Sequence, residues 1–191
     1  MTGVQTCALP IYSNVAPRSP YSASKASADL LSQAFSTTHS KNIIVTRCSN
    51  NYGPYQSVEK LVPKVISNVL KNEKIPLYGN GMNVREWIYV TDHVNAIFSI
   101  VENGISGFEV FNIGGNEEIS INSLAHKVIE MCDSKSLIKY VPYQEAYPRG
   151  FEDMARRVPD VSKMHAYTGW NSKFGIEKII SDTRDYFLNL K

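Results

Sequence analysis

The chain has 191 residues, 43% of them hydrophobic and 20% charged, the proportions of an ordinary globular protein able to bury a sizeable core. Twenty Lys and Arg stand against eighteen Asp and Glu, a net charge of +2 without long like-charge runs, which gives no electrostatic footprint for a nucleic-acid or membrane partner. Three cysteines, Cys7, Cys48 and Cys132, are too few and too scattered for a zinc site or a disulfide framework and point to a reducing, cytoplasmic setting.

The opening MTGVQTCALPI lacks the basic start and long apolar middle of a signal peptide. It reads instead like a translated sequencing-library adapter, so residues 1–11 are set aside as an artefact. Natural sequence is then expected from about Tyr12, and the chain is expected to be a piece of a longer protein. No apolar run approaches the roughly 20 residues of a membrane-spanning helix.

From Pro20 to about His39, the residues Ala26, Ala28, Leu30, Leu31, Ala34 and Phe35 recur at helical spacing, and Pro20 suits a first helical turn. NIIVTR, 42–47, is a β-branched run read as a buried strand. CSNNYGPYQ, rich in Asn, Gly and Pro, is expected to form a binding loop without regular structure. The spacing of Leu61, Val62, Val65, Ile66, Val69 and Leu70 predicts an amphipathic helix over 59–72. Strands follow at 75–78 and 85–90, separated by the turn GNGMN.

Thr91 or Asp92 is placed to cap a helix carrying Val94, Ile97, Phe98 and Val101. A strand is expected over 110–113. Ser120 opens a helix with Leu124, Ala125 and Val128, a strand runs over 137–141, and a last helix covers about 175–188. Helix and strand alternate, which is α/β in character.

Chemistry enters at RSPYSASK, 18–25. Tyr21 and Lys25 are four apart on the predicted helix, so they share a face. An ammonium beside a phenol favours the phenolate, and such a tyrosine can exchange a proton with a substrate hydroxyl as hydride leaves the same carbon. Spacing alone also suits a half-buried Tyr with a solvated Lys.

Context decides between them. RSPYSASKASADLL, TRCSNNYGPYQSVEKLVPKVI, YGNGMNVREWIYVTDHVNAI and FNIGGNE, in this order, resemble the extended short-chain dehydrogenase/reductases that modify nucleotide sugars, and among these the 4,6-dehydratases of dTDP-glucose. The resemblance runs from about Ala16 to the C-terminus. It implies an α/β fold, a partial NAD-binding, Rossmann-like doubly wound sheet with a smaller C-terminal α/β substrate lobe. Residues 12–57 would close the dinucleotide-binding domain, and residues 58–191 would form mainly the sugar-nucleotide lobe, with late returns to the sheet.

By the same resemblance Tyr21 and Lys25 are the catalytic couple and contact NAD, Asn51 approaches the cofactor, and Asn50 contacts the substrate diphosphate. Lys60, Arg85 and Asn112 match positions at that end of the pocket. Arg85 could instead form a salt bridge with Glu86 or Asp92, and Asn112 could be a strand-end turn residue. Arg156 and Arg157 supply guanidinium groups suited to a diphosphate, without revealing which points inward. Asp92 and His93, in the YVTDH stretch, are left outside the site because helix capping accounts for them.

RGFEDMARRVPDVSKM departs from the dehydratase pattern toward some epimerases and decarboxylases. Neither the glycine-rich turn of an NAD site nor the acidic pair that assists dehydration occurs in the chain; GNG at 79–81 and GG at 114–115 read as turns. The resemblance therefore implies a parent enzyme that binds NAD, oxidises C4 of a nucleotide-linked hexose, eliminates water across C5 and C6 and returns the hydride to C6. The chain alone would be inactive. A UDP-sugar 4-epimerase or decarboxylase, and a non-catalytic sugar-nucleotide binding module, are the alternatives. A homodimer through the tyrosine helix is expected for the parent, with no nucleic-acid or membrane partner and no metal.

Overall fold

The computed structural model describes residues 16–17, 19–146 and 154–189. Residues 1–11, with the adapter reading, and Arg18 of RSPYSASK lie outside them. The first element is α1, Pro20–His39, with the bounds the sequence predicts. Ser19 starts it, its Oγ accepting the Ser22 amide while Pro20 occupies the turn in which an amide has no partner. Ser40 stops it in the left-handed region at φ 50°.

Then follow β1 (Ile43–Cys48), β2 (Asn50–Tyr52), α2 (Leu61–Leu70), β3 (Ile75–Tyr78), β4 (Val84–Tyr89), α3 (Val90–Glu102) and β5 (Phe108–Ile113). The remainder is β6 (Glu118–Ser120), α4 (Ile121–Met131), β7 (Ile138–Val141), α5 (Tyr143–Ala146), β8 (Arg156–Arg157), α6 (Ser162–Thr168) and α7 (Ile176–Asn189). Two expectations need correction. The loop over CSNNYGPYQ contains a strand, β2, because Asn50, Asn51 and Tyr52 pair in parallel with Trp87, Ile88 and Tyr89. The short elements β6, α5, β8 and α6 carry no periodic signal and were not expected.

The pairings are mostly parallel, and the architecture is α/β. β1 runs parallel to β5 from Ile43↔Phe108 to Cys48↔Ile113, and β3 runs parallel to β7. β4 is flanked by β2, by antiparallel β6 and by parallel β8. Ser49 is the joint between the first two systems: its amide still donates to the Ile113 carbonyl at 2.8 Å, and the next residue, Asn50, already pairs with Trp87.

Two apolar cores lie beneath these sheets. The larger joins Val62, Val65, Ile66 and Val69 of α2 to Leu124, Ala125 and Val128 of α4 and Ile176, Ile179 and Ile180 at α7, over Ile75, Leu77 and Trp87. The smaller gathers Ala96 and Ile100 of α3, Phe111 and Ile113 of β5, Ile88 and Met164. The apolar repeat of α1 does not enter either: α1 buries Ser22, Ala26 and Ser36, while Leu30, Leu31 and Phe35 are 60%, 69% and 53% exposed.

The capping role expected of Thr91 or Asp92 is also overturned. Helix α3 begins at Val90, and its N-cap, Tyr89, makes no side-chain cap bond. Asp92 is buried and faces the chain before α7, where its Oδ2 accepts the Ser172 hydroxyl and the Lys173 and Phe174 amides, each at 2.9 Å. Glu117 accepts the Ile176 amide at 2.8 Å. Two carboxylates from distant sequence thus satisfy amides at the start of α7, where unpaired donors and the helix dipole favour negative charge. Among the described residues no helix is long and apolar enough to cross a membrane.

Candidate functional site

Strand β4 alternates its side chains between two environments. Arg85 and Trp87 line a cavity of about 480 Å³, together with Asn50 and Tyr52 of β2, Ile75 to Tyr78 of β3, and Glu59, Lys64 and Asn68 at α2. Arg157 of β8 completes this wall, in register with Arg85 on the neighbouring strand. Glu59 is the one acid among the described lining residues.

Its polar groups are held in place. The Arg157 Nη2 donates to Asn50 Oδ1 at 2.8 Å, and Arg85 is buried with its Nη1 donating to the Val84 carbonyl at 2.7 Å. Tyr52 and Trp87 meet edge to face with ring centroids 4.6 Å apart. Burial pushes the Tyr52 phenol well above its ordinary range, against the pull of the Arg157 charge, so the hydroxyl stays a hydrogen-bond donor. The Trp87 indole Nε1 is buried without a partner.

Asn50, Arg85 and Arg157 are therefore brought together on one cavity. Lys60 sits at its edge, exposed, as the residue preceding α2 and between the lining residues Glu59 and Leu61. Asn112 is elsewhere: it is buried in β5, opposite Arg47, and its amide donates to the Asp160 carbonyl at 3.0 Å. Arg156 points away as well, making a bidentate pair with Glu118 at 2.8 and 2.6 Å. The strand geometry separates the adjacent arginines onto opposite faces of β8, which spacing alone could not resolve.

Tyr21 and Lys25 share a face of α1, the Lys25 Nζ 5.7 Å from the Tyr21 ring centroid, and Tyr21 is 72% exposed. Neither lines the cavity. Asn51 Nδ2 donates to Cys48 Sγ at 3.3 Å and to the Ser49 carbonyl at 3.4 Å, leaving its Oδ1 buried without a partner.

The described residues fit NAD at one end only. Tyr21, Lys25 and the orphaned Asn51 oxygen suit a nicotinamide and its ribose. The glycines that could cradle a pyrophosphate are already filled: Gly79 by the Tyr143 ring, Gly81 by Asn122 and Leu77, Gly114 by Glu86 and Pro159, and Gly115 by the Trp87 carbonyl. The sequence reading missed Tyr52, Trp87, Tyr78 and Tyr143, whose only signal was their aromatic character next to the quoted motifs.

Mostly parallel strands joined by helices, around a cavity walled with aromatic rings and two arginines, define an α/β protein. The model of the GDP-mannose 4,6-dehydratase family matches residues 9–183, and the chain belongs to that family. A dTDP-glucose 4,6-dehydratase of Shigella flexneri is 40% identical over 192 residues, covering 95% of this chain and 51% of that protein. The crystal structure of dTDP-glucose 4,6-dehydratase from Bacillus anthracis, in complex with NAD, superposes with a TM-score of 0.83 at 39% identity, over 93% of this chain and 55% of that one. A UDP-glucuronic acid 4-epimerase from Bacillus cereus reaches a TM-score of 0.84 at 21% identity, over 96% of this chain and 57% of that one, which shows the shared fold alone. The chain spans about half the length of the curated relatives it matches.

Proposed function

We propose that this chain carries the substrate-nucleotide site and the tyrosine–lysine couple of an NAD-dependent nucleotide-sugar 4,6-dehydratase, acting on dTDP-glucose. The observation that carries the reading is the convergence of Asn50, Arg85 and Arg157 on one aromatic-walled cavity, in a chain 40% identical to a dTDP-glucose 4,6-dehydratase. Guanidinium groups bind diphosphate oxygens in bidentate fashion, and an Asn amide can both orient an arginine and donate. Lys60 and Lys64 at the mouth add positive charge. Arg156 and Asn112 act structurally in this arrangement, the first through Glu118 and the second through Asp160.

NAD supplies the hydride acceptor when bound. Tyr21 takes the proton of the sugar hydroxyl, Lys25 holds positive charge beside the phenol, and Asn51 offers its buried oxygen to a donor on the cofactor side. Residues 12–57 then belong to the dinucleotide-binding part and 58–191 mainly to the substrate lobe with late returns to the sheet, a return that the pairing of β5 with β1 supports. The exposed apolar face of α1 supports a homodimer. Without a phosphate cradle among its described residues, the chain by itself binds nucleotide and does not turn it over.

Calorimetric titration of the chain with thymidine diphosphate tests this. Binding is expected, weakened about thirtyfold by Arg157→Ala, a loss of about 2 kcal/mol, and little changed by Arg156→Ala. A folded chain that ignores the nucleotide, or an Arg156→Ala variant as damaged as Arg157→Ala, would overturn the reading.

A further inference from the structure

The cavity uses one face of β4. On the other face, between Arg85 and Trp87, sits Glu86, 3% exposed, a carboxyl group that the proposed chemistry does not employ. It lies where three segments meet. Ser49, the joint between the β1–β5 pair and β2, offers its hydroxyl to Glu86 Oε1 at 3.5 Å. The Gly115 amide, in the turn between β5 and β6, donates to the same carboxyl. Glu118 of β6 is its cross-strand partner in register.

The fit around it is tight. A Cβ on Gly114 would collide with Glu86 Oε1, and one on Gly115 would collide with the Trp87 carbonyl, so the glycine pair lets the β5–β6 turn close onto β4. The segments that Glu86 touches lead to the site on both sides. Ser49 precedes Asn50, which orients Arg157, and it follows β1, against which α1 packs with Tyr21 and Lys25. The Gly114–Gly115 turn ends β5, the strand paired with β1.

We propose that Glu86 is a positioning residue, joining the sheet that carries the tyrosine helix to the sheet that carries Asn50, Arg85 and Arg157, and that it performs this task as the neutral carboxylic acid. The inference rests on the nucleotide site proposed above for its functional meaning. The burial of Glu86, at 3% exposure between three segments, decides the protonation state, and Glu118 adds to it. Glu118 faces Glu86 across the strands and already accepts two bonds from Arg156, so an ionised Glu86 would stand beside a carboxylate whose cation is taken. Ser49 and Gly115 bring no charge. Burial raises the Glu86 carboxyl to about 8, helped by Glu118 and opposed by the Gly115 amide, the Ser49 hydroxyl and Arg156. Ionisation places a desolvated charge at the joint, and the joint opens to hydrate it, moving Ser49 and with it Asn50.

The test uses the 191-residue chain and two variants, Glu86→Gln, which keeps the acceptor and replaces the hydroxyl by a neutral amide, and Ser49→Ala. Carbon-detected NMR follows the carbonyls of Ser49, Asn50 and Gly115 from about pH 6.5 to about pH 9.5, and thymidine diphosphate is titrated at both ends of the range. In the wild type the three signals should move together with a midpoint near 8, and nucleotide affinity should fall about tenfold across it. In Glu86→Gln the signals should stay flat and affinity should remain near its neutral-pH value. Ser49→Ala should uncouple the Asn50 signal while Gly115 still titrates.

Parallel titration of wild type and Glu86→Gln would assign the event to another group and overturn the proposal. So would loss of nucleotide binding in Glu86→Gln at neutral pH with an unchanged melting temperature. If the wild type binds no nucleotide but its carbonyls titrate as described, the nucleotide site fails and the coupling through Glu86 stands.

Discussion

The two sides of Ser49 are built to different standards of closure. Toward the C-terminus, β2, β3 and β4 are roofed by α2, α4 and α7, which bury Val62, Val65, Ile66, Val69, Leu124, Val128, Ile179 and Ile180. Toward the N-terminus, α1 lies on β1 and β5 with only Ser22, Ala26 and Ser36 buried, and presents Leu30, Leu31, Phe35 and Tyr21 outward. The first region is self-sufficient and encloses a cavity; the second displays its chemistry on an open face. The difference separates what the chain closes unaided, the cavity, from what needs a further surface against α1.

The contrast fails first if the closed side proves loosely held. Asp92 carries the strongest anchor there, one carboxyl oxygen accepting three donors from Ser172, Lys173 and Phe174. Asp92→Ala leaves two part-buried amides and a hydroxyl without their acceptor, and it should cost about 2 kcal/mol in urea-melt stability. A loss below about 1 kcal/mol would mean that the segment before α7 is not fastened through this residue.

Asp92 also shows where sequence reasoning stops. The helix after YVTDH was legible from the spacing of its apolar residues, and an Asp in the first turn looked like a cap. The true partners lie eighty or more positions away in sequence, and no local pattern encodes them. The limits of α1 and β3 were legible because Pro20 and the 75–78 run carry their own signals. Strands β2 and β8 were not, since Asn50–Tyr52 and Arg156–Arg157 are extended only because β4 offers a ladder to them. In the site, the motifs grouped Asn50, Lys60, Arg85, Asn112, Arg156 and Arg157 as expected substrate contacts, and of these Asn50, Arg85 and Arg157 line one cavity. Only register showed that Arg157 turns inward while Arg156 is spent on Glu118. The helical repeat of α1 gave the correct stripe of residues, but periodicity reports that a face is apolar, not what covers it.

A second effect bears on the same contrast, because the joint between the two sides titrates. Glu86 holds its proton up to about 8 in the folded chain, against an ordinary value of 4.5. Between those two values the unfolded chain has released a proton that the native chain retains, so the native state loses stability as pH rises through the window and levels off above it. Relaxation around the charge limits the loss to about 2 kcal/mol. Urea melts at about pH 5 and about pH 8 should show this decline in the wild type and a flatter profile in Glu86→Gln. A decline of equal size in both would place the titrating group elsewhere.

The smallest expected effect on stability is the most informative about the open side. Leu31 is 69% exposed on α1, so Leu31→Ser removes little buried area and should shift the free energy of unfolding by no more than about 0.5 kcal/mol. The same change shrinks the apolar area a partner could cover, at about 25 cal/mol for each Å² that is no longer buried, and a symmetric interface counts each change twice. Leu31→Ser combined with Phe35→Ser should therefore leave the melting temperature nearly unchanged while reducing self-association in sedimentation experiments. If the pair of substitutions lowers stability by several kcal/mol in dilute, monomeric protein, the face is already covered within one chain and the open side is not open; if neither stability nor association moves, the apolar stripe of α1 makes no homodimer interface, and the contrast between the two sides reduces to one of burial alone.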